Sequence, residues 1–226
     1  MRLIGLAGWS GAGKTTLIVK LIPELNRRGL SVSTIKHAHH AFDLDQPGKD
    51  SYEHRAAGAE EVLVASANRV ALMRELRGKP EPSLAELLRL LRPVDLVLIE
   101  GFKRDPYPKI EIFRAANMKP PMYPNDPNIV ALISDFEQGA LERSRHREER
   151  SDEAIQGNVG RPAALDRHVD LRPPRDDEPT RTNPPPAEPP AHLPHASIDD
   201  VAGAADLVLA HAKPLAEVLA AFERHL

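Results

Sequence analysis

Cysteine is absent from this 226-residue chain. That excludes disulfide bonds and any thiolate metal centre. A dominant charge is missing too. Thirty Lys and Arg stand against 33 Asp and Glu, for a formal net charge of −3. The electrostatics give no reason to expect nucleic acid or an anionic membrane as partner. No apolar run approaches the ~20 residues needed to cross a bilayer. Arg2 and the short apolar run "LIGLA" could mimic a secretory leader, but the run has strand length and enters a glycine-rich loop directly. Cytoplasmic residence fits these absences. Proline is abundant, at 22 residues, and it crowds into one stretch.

Composition divides the chain into three. Residues 1–141 alternate apolar runs with amphipathic segments, the rhythm of βαβ units. "SVSTIK" (Ser31–Lys36), "EEVLVAS", "RVALMRE", "VDLVLIE" (Val94–Glu100), "KIEIFR" and "NIVALIS" read as strands, "VDLVLIE" as a buried parallel one. "SYEHRAAGA" reads as a short helix with Asp50 as N-cap, Glu53 three residues on and Gly58 as its stop. "SLAELLRLL" opens with a capping box, Ser83 and Glu86. Residues 142–194 form an insertion, a mixed charge run followed by "RPPRDDEPTRTNPPPAEPP". Too few large apolar residues are present there to offset the entropy of ordering, so disorder is expected. Its proline-rich half suits either a solvated linker or a polyproline ligand. Residues 195–226 return to helical order, with Ser197 and Asp200 as a capping pair and Leu215, Val218, Leu219, Phe222 and Leu226 at helical spacing. These helices are expected to pack back on the core. The fold class is α/β, a mainly parallel sheet flanked by helices.

The chemistry begins at "GWSGAGKTT", Gly8–Thr16. The pattern G-x-x-x-x-G-K-[ST], between a strand and an amphipathic helix ("TLIVKLIPELNRRG"), is a phosphate-binding P-loop. Its glycines turn backbone N–H groups inward, and with the helix N-terminus they form an anion cradle. Lys14 would reach the β- and γ-phosphates, and the Thr15 hydroxyl would bind Mg²⁺. Gly8, Ser10, Gly11, Ala12, Gly13 and Thr16 complete the cradle. Glu100, ending an apolar strand, has the Walker B arrangement and would hold Mg²⁺ directly or through water. Asp95, at the start of that strand, reads as a solvated or capping residue.

The stretch "KHAHHAFDLDQPGKDSYEHRAAGA" gathers Lys36, His37, His39, His40, Asp43, Asp45, Lys49, Asp50 and Arg55 after the second strand. Loops at strand C-termini line the ligand crevice of a parallel sheet. The loop's residues suit a metal, through imidazoles and carboxylates, or an anion, or merely water. Asp43 is the first choice among its acids to complete a Mg²⁺ site. Asp135, in "ALISD", stands where a guanine-recognising acid would, and equally where a strand-end cap would.

"GWSGAGKTTL", the 36–59 block, "LVLIEGFK" and "PKIEIF", in this order and spacing, closely resemble the MobB family of molybdopterin-guanine dinucleotide biosynthesis adaptor proteins. The resemblance covers about residues 2–135 and resumes near Pro194, in "LPHASIDDVAGAADLVL". It implies a P-loop GTP-binding protein of the group that includes signal-recognition and metal-delivery GTPases. It implies a homodimer with weak GTP hydrolysis, associating with the molybdenum cofactor guanylyltransferase that joins GMP to molybdopterin. It makes GTP and Mg²⁺ the expected ligands. Lys36, His37, His39, His40, Lys49, Asp50, Arg55, Gly101, Phe102 and Lys103 would form the face toward partner or pterin. A small-molecule kinase and a metal-delivery GTPase are the competing readings. The first needs an arginine lid, and the second draws only on the "HAHH" cluster.

Overall fold

Strand β1 (Arg2–Ala7) is buried almost from end to end and lies at the centre of a seven-stranded sheet. The computed structural model describes residues 1–38, 42–136 and 192–224. Glycine and Lys14 of the P-loop lead into helix α1 (Lys14–Arg27). Next come β2 (Val32–Lys36), helix α2 (Asp50–Ala56), the pair β3 (Glu61–Ala65) and β4 (Val70–Arg74), helix α3 (Leu84–Leu90), β5 (Leu96–Glu100), β6 (Lys109–Phe113) and β7 (Ile129–Ser134). After the insertion follow β8 (His195–Ser197), helix α4 (Val201–His211), β9 (Lys213–Pro214) and helix α5 (Leu215–Glu223).

The order β2-β5-β1-β6-β7-β8 is parallel throughout. β9 alone runs antiparallel, pairing Leu3 and Arg2 of β1 where β6 does not reach. Because successive side chains point to opposite faces, β5 buries Leu96 and Leu98 on one side and Val97 and Ile99 on the other. The first face receives Leu17, Leu21 and Leu25 of α1 and Ala204, Ala205 and Val208 of α4. The second receives Leu84 and Leu88 of α3 and Val218 of α5. This is the expected mainly parallel sheet covered by helices on both faces, and it explains why its strands read as continuous apolar runs.

Several local expectations are met and some corrected. Ser83 caps α3 in a full capping box with Glu86. Asp95 is structural, its carboxylate accepting from the Ser31 N–H and hydroxyl at 2.9 and 2.6 Å. Asp50 is the first residue of α2, not its cap; Lys49 holds the cap position without a side-chain bond. Ser197 and Asp200 form no capping pair. Ser197 ends β8, and Asp200 alone caps α4 by accepting from the Gly203 N–H at 2.9 Å. "EEVLVAS" and "RVALMRE" are strands, but they form an antiparallel hairpin outside the main sheet. Of the expected insertion, residues 142–191 lie outside the described residues, as do His39, His40 and Leu226. Pro194, at its expected end, already belongs to the sheet, its carbonyl accepting from the Leu132 N–H at 2.9 Å.

Two buried charges fix the excursion between β6 and β7. Lys109 donates to the Asp105 carbonyl at 2.8 Å and to Asp126 at 3.0 Å. Glu111, fully buried, accepts from the Met122 and Tyr123 N–H groups, both at 2.8 Å. Burial raises the Glu111 carboxyl above its ordinary value, and the two backbone donors oppose that rise.

Candidate functional site

The C-terminal ends of the parallel strands meet along one edge, where an open α/β sheet binds its ligand. β1 delivers the P-loop, β2 ends at Lys36, β5 at Glu100, β6 runs into Arg114 and β7 into Asp135. Gly8 leaves β1 at φ +146°, and a Cβ there would lie 2.5 Å from the Ile112 carbonyl oxygen, so the strand-to-loop turn admits no side chain. Gly13 adopts the left-handed region (φ +91°) as N-cap of α1. Ala12 is buried beneath the loop, whereas Ser10, Gly11, Thr15 and Thr16 are exposed at its mouth.

Lys14 folds back over the loop, its Nζ donating to the carbonyls of Gly8 and Trp9, both at 3.0 Å. Partial burial lowers its pKa below the ordinary lysine value, and the neighbouring Lys103 lowers it further; Glu100 opposes both. Thr15 Oγ1 donates to the Glu100 carboxylate at 3.3 and 3.4 Å. Lys36 Nζ approaches the same carboxylate at 3.6 Å. Thr15 and Glu100 are thus a hydroxyl and a carboxylate converging at the loop, the oxygen donors a hard divalent cation takes.

Asp43 has another occupation. Its two oxygens accept from Arg55 at 3.1 and 2.8 Å, and that contact lowers its pKa. It is tied to Arg55 instead of completing the Thr15–Glu100 pair. Arg55 is engaged in turn by Asp45 at 3.5 Å, by Glu75 at 3.3 Å and by the Tyr52 ring at 5.6 Å from its centroid. These residues make α2 and its leading loop an internally neutralised unit tied to β4. Arg55 is therefore not a free arginine for a transferring phosphate. Lys49 and Asp50 are exposed on that unit.

The "EGFK" segment builds the adjoining face. The Phe102 ring lies tilted against the His37 ring with centroids 4.8 Å apart, and His37 Nε2 pairs with Glu81 at 2.8 Å. Gly101 backs onto the His37 Cβ, and its carbonyl accepts from the Tyr107 hydroxyl at 2.8 Å. Lys103 lies over the Trp9 ring at 5.3 Å, joining this face to the P-loop. Between the "EGFK" segment and the start of α3 opens a cavity of about 500 Å³ lined by His37, Glu81, Ser83, Phe102, Lys103 and Asp105. Burial raises the Asp105 carboxyl above its usual range.

Asp135 accepts from the Ala115 N–H at 3.0 Å, which holds the exit of β6. The same exit carries two residues that the sequence did not single out. Asn117 Nδ2 donates to the Ser10 carbonyl at 3.3 Å, and the Arg114 guanidinium rests against Gly13. Their signal was present: both follow a strand, and strand ends line the crevice. What was missing was the knowledge that β6 lies directly beside β1. Among the described residues no group of three or more His, Asp or Glu is arranged to hold a metal, and no helix is long and apolar enough to cross a membrane.

The sequence model of the MobB family, described as molybdopterin guanine dinucleotide synthesis protein B, matches residues 3–135. The chain belongs to the MobB family. The matched span runs from β1 through β7 and contains every strand end named above. The molybdopterin-guanine dinucleotide biosynthesis adapter protein of Escherichia coli (strain K12) is 46% identical over 136 residues, covering 59% of this chain and 78% of that protein. The protein of the same description from Haemophilus influenzae is 42% identical over 139 residues, covering 59% and 75%. A crystal structure of Bacillus subtilis MobB superposes with a TM-score of 0.57 at 23% identity, covering 94% of this chain and 99% of that one. At that identity the structural likeness speaks for the shared fold.

Proposed function

We propose that this chain is a GTP-binding adaptor in the making of molybdopterin guanine dinucleotide. In this reading it assists a molybdenum cofactor guanylyltransferase acting on molybdopterin and hydrolyses GTP slowly. The observation that carries the nucleotide half is the P-loop geometry. Lys14 is poised over the loop by two carbonyls, and Thr15 and Glu100 converge beside it. When bound, Mg²⁺ would be held by Thr15 and Glu100 and would neutralise charge on the phosphates. Lys14 would move from the Gly8 and Trp9 carbonyls to the phosphate chain. Family membership and the relatives' description support the adaptor half.

Slow turnover belongs to the same reading, and two of its candidate cations are engaged elsewhere. Fast hydrolysis needs an aligned water and a cation aimed at the transferring phosphate. Arg55 is held by carboxylates, and Lys103 lies over Trp9. The face of His37, Gly101, Phe102 and Lys103, with His39, His40, Lys49 and Asp50, is assigned to the partner enzyme or its pterin. A homodimer is part of the proposal. The β3–β4 hairpin stands outside the main sheet and leaves Leu63 and Val70 about two-thirds exposed, at 66% and 64%. Leu63 faces Leu72 across the ladder. An isolated two-stranded sheet is marginal alone, and a second copy would cover it. Cytoplasmic residence goes with this role.

The test is titration of the purified protein with GTP and ATP, with and without Mg²⁺, beside an Asp135→Ala variant. GTP is expected to bind more tightly, with Mg²⁺ strengthening it and Asp135→Ala erasing the preference. Equal affinity for both nucleotides would remove GTP from the proposal. Replacing His37, His39 and His40 by alanine should weaken capture of the guanylyltransferase while sparing GTP affinity. Loss of GTP binding would instead put that loop in the nucleotide site.

A further inference from the structure

β6 lies beside β1 on the flank opposite β5, and its exit delivers Arg114 to the P-loop. A Cβ built on Gly13 would sit 3.4 Å from both Nε and Nη2 of Arg114, so the guanidinium rests directly against the residue that precedes Lys14. Among the described residues no acceptor takes a hydrogen bond from that side chain and no carboxylate pairs with it; its Nε is buried without a partner. A buried guanidine N–H left unpaired is costly. The neighbouring cations, by contrast, are occupied. Lys14 has two carbonyls, Lys36 has Glu100, Arg55 has its carboxylates and Lys103 has the Trp9 ring. The backbone that carries Arg114 is also fixed. Asp135 holds the Ala115 N–H, the Asn117 N–H returns to the Arg114 carbonyl at 3.1 Å, and the Asn117 side chain reaches Ser10.

We infer that Arg114 is a phosphate-chain residue of the nucleotide site, a cation lacking a protein counter-ion because its counter-ion is the ligand. The inference rests on the nucleotide-binding reading above. A guanidinium presents a planar fork of donors that matches two oxygens of a phosphate. From the Gly13 side it would turn that fork onto the polyphosphate, while Lys36 and Glu100 act from the β2 and β5 flank. The phosphates would then be held from both sides of β1. The competing role is a brace, in which Arg114 merely stiffens the loop by packing on Gly13.

The experiment uses the full chain, its variants Arg114→Gln and Arg114→Lys, and two probes, Mg·GTP and inorganic tripolyphosphate, titrated at low and high salt. Glutamine keeps most of the packing and removes the charge. Arg114→Gln is expected to weaken both probes by about tenfold or more. Arg114→Lys should recover part of that loss, and the gap to the parent protein should narrow as salt screens the charge. Thermal midpoints without ligand report folding, and the lysine variant carries the test if glutamine does not fold. Parent-like affinity of Arg114→Gln for both probes, or a deficit independent of salt, overturns the inference in favour of the brace. Binding of neither probe by the parent protein overturns the nucleotide reading itself, and this assignment with it.

Discussion

Replacing Lys14 by alanine should move ligand affinity and protein stability apart. The ammonium holds two carbonyls at 3.0 Å. It also sits at the positive end of α1, where partial burial lowers its pKa and the nearby Lys103 and Lys36 lower it further. Removing a cation from a helix N-terminus relieves roughly 0.3–1 kcal/mol. Losing two hydrogen bonds to loop carbonyls that water can re-solvate costs about 0.5–1.5 kcal/mol each, so the net loss of stability in the ligand-free protein should be about 1–2 kcal/mol. For a domain of this size that is a fall in melting temperature of about 2–8 °C. Ligand binding has no such compensation. A charge-assisted phosphate contact is worth about 1.5–3 kcal/mol, which at 1.4 kcal/mol per decade is roughly a ten- to hundredfold loss of GTP affinity. Isothermal titration with Mg·GTP and thermal unfolding without ligand read the two quantities. Affinity within about twofold of the parent protein would mean the lysine never engages phosphate. A large drop in melting temperature would mean its bonds to Gly8 and Trp9 hold the fold.

Glu100→Gln should leave GTP binding in chelator nearly unchanged and reduce the gain from Mg²⁺ by roughly tenfold or more, read by titration in both conditions; an unreduced gain would separate Glu100 from the cation. Gly8→Ala must force a Cβ toward the Ile112 carbonyl at a backbone angle of φ +146°. It should cost at least about 1–2 kcal/mol in urea unfolding, and a parent-like midpoint would contradict the turn described here. His195, half-buried and within 2.8 Å of the Ser134 hydroxyl, has its pKa lowered by burial. The unfolded chain therefore takes up this proton first as pH falls, and stability drops as pH falls through about 6.5. Between about pH 7.5 and 5.5 the parent protein should lose more melting temperature than His195→Gln, and equal losses would exclude the effect. Leu72→Asp should shift the protein toward monomer in light scattering after size exclusion, with its fold retained by circular dichroism; an unchanged mass would move the interface off the hairpin.

The P-loop, the Walker-type Glu100 and the βαβ rhythm were legible because each is written in neighbouring residues or in one period of hydrophobicity. Ser83 and Glu86 were legible for the same reason, as were the two strands of the hairpin. Sheet order is not local. Nothing in "KIEIFR" says that its strand lies against β1, so Arg114 could not be read as a residue of the loop. Asp43 and Arg55 illustrate a second limit. Each has the chemistry of a site residue, and only the folded path between them shows that they satisfy each other. β8 and β9 are too short, at three and two residues, for any periodicity to register.

Leu6, Glu100 and Lys36 occupy one row across three adjacent parallel strands, Leu6 beside Glu100 and Glu100 beside Lys36. The row works as a ruler laid across the sheet. It sets where the loop begins, where the acid stands and where the base stands, all measured from the same line. Loops hung from its end can lengthen or change sequence without moving these marks. A single residue inserted within β5 would slip the acid to the other face and break the alignment of all three. Variation in this architecture is therefore free in the connections and forbidden in the strands, and a long insertion after β7 falls on the permitted side of that line.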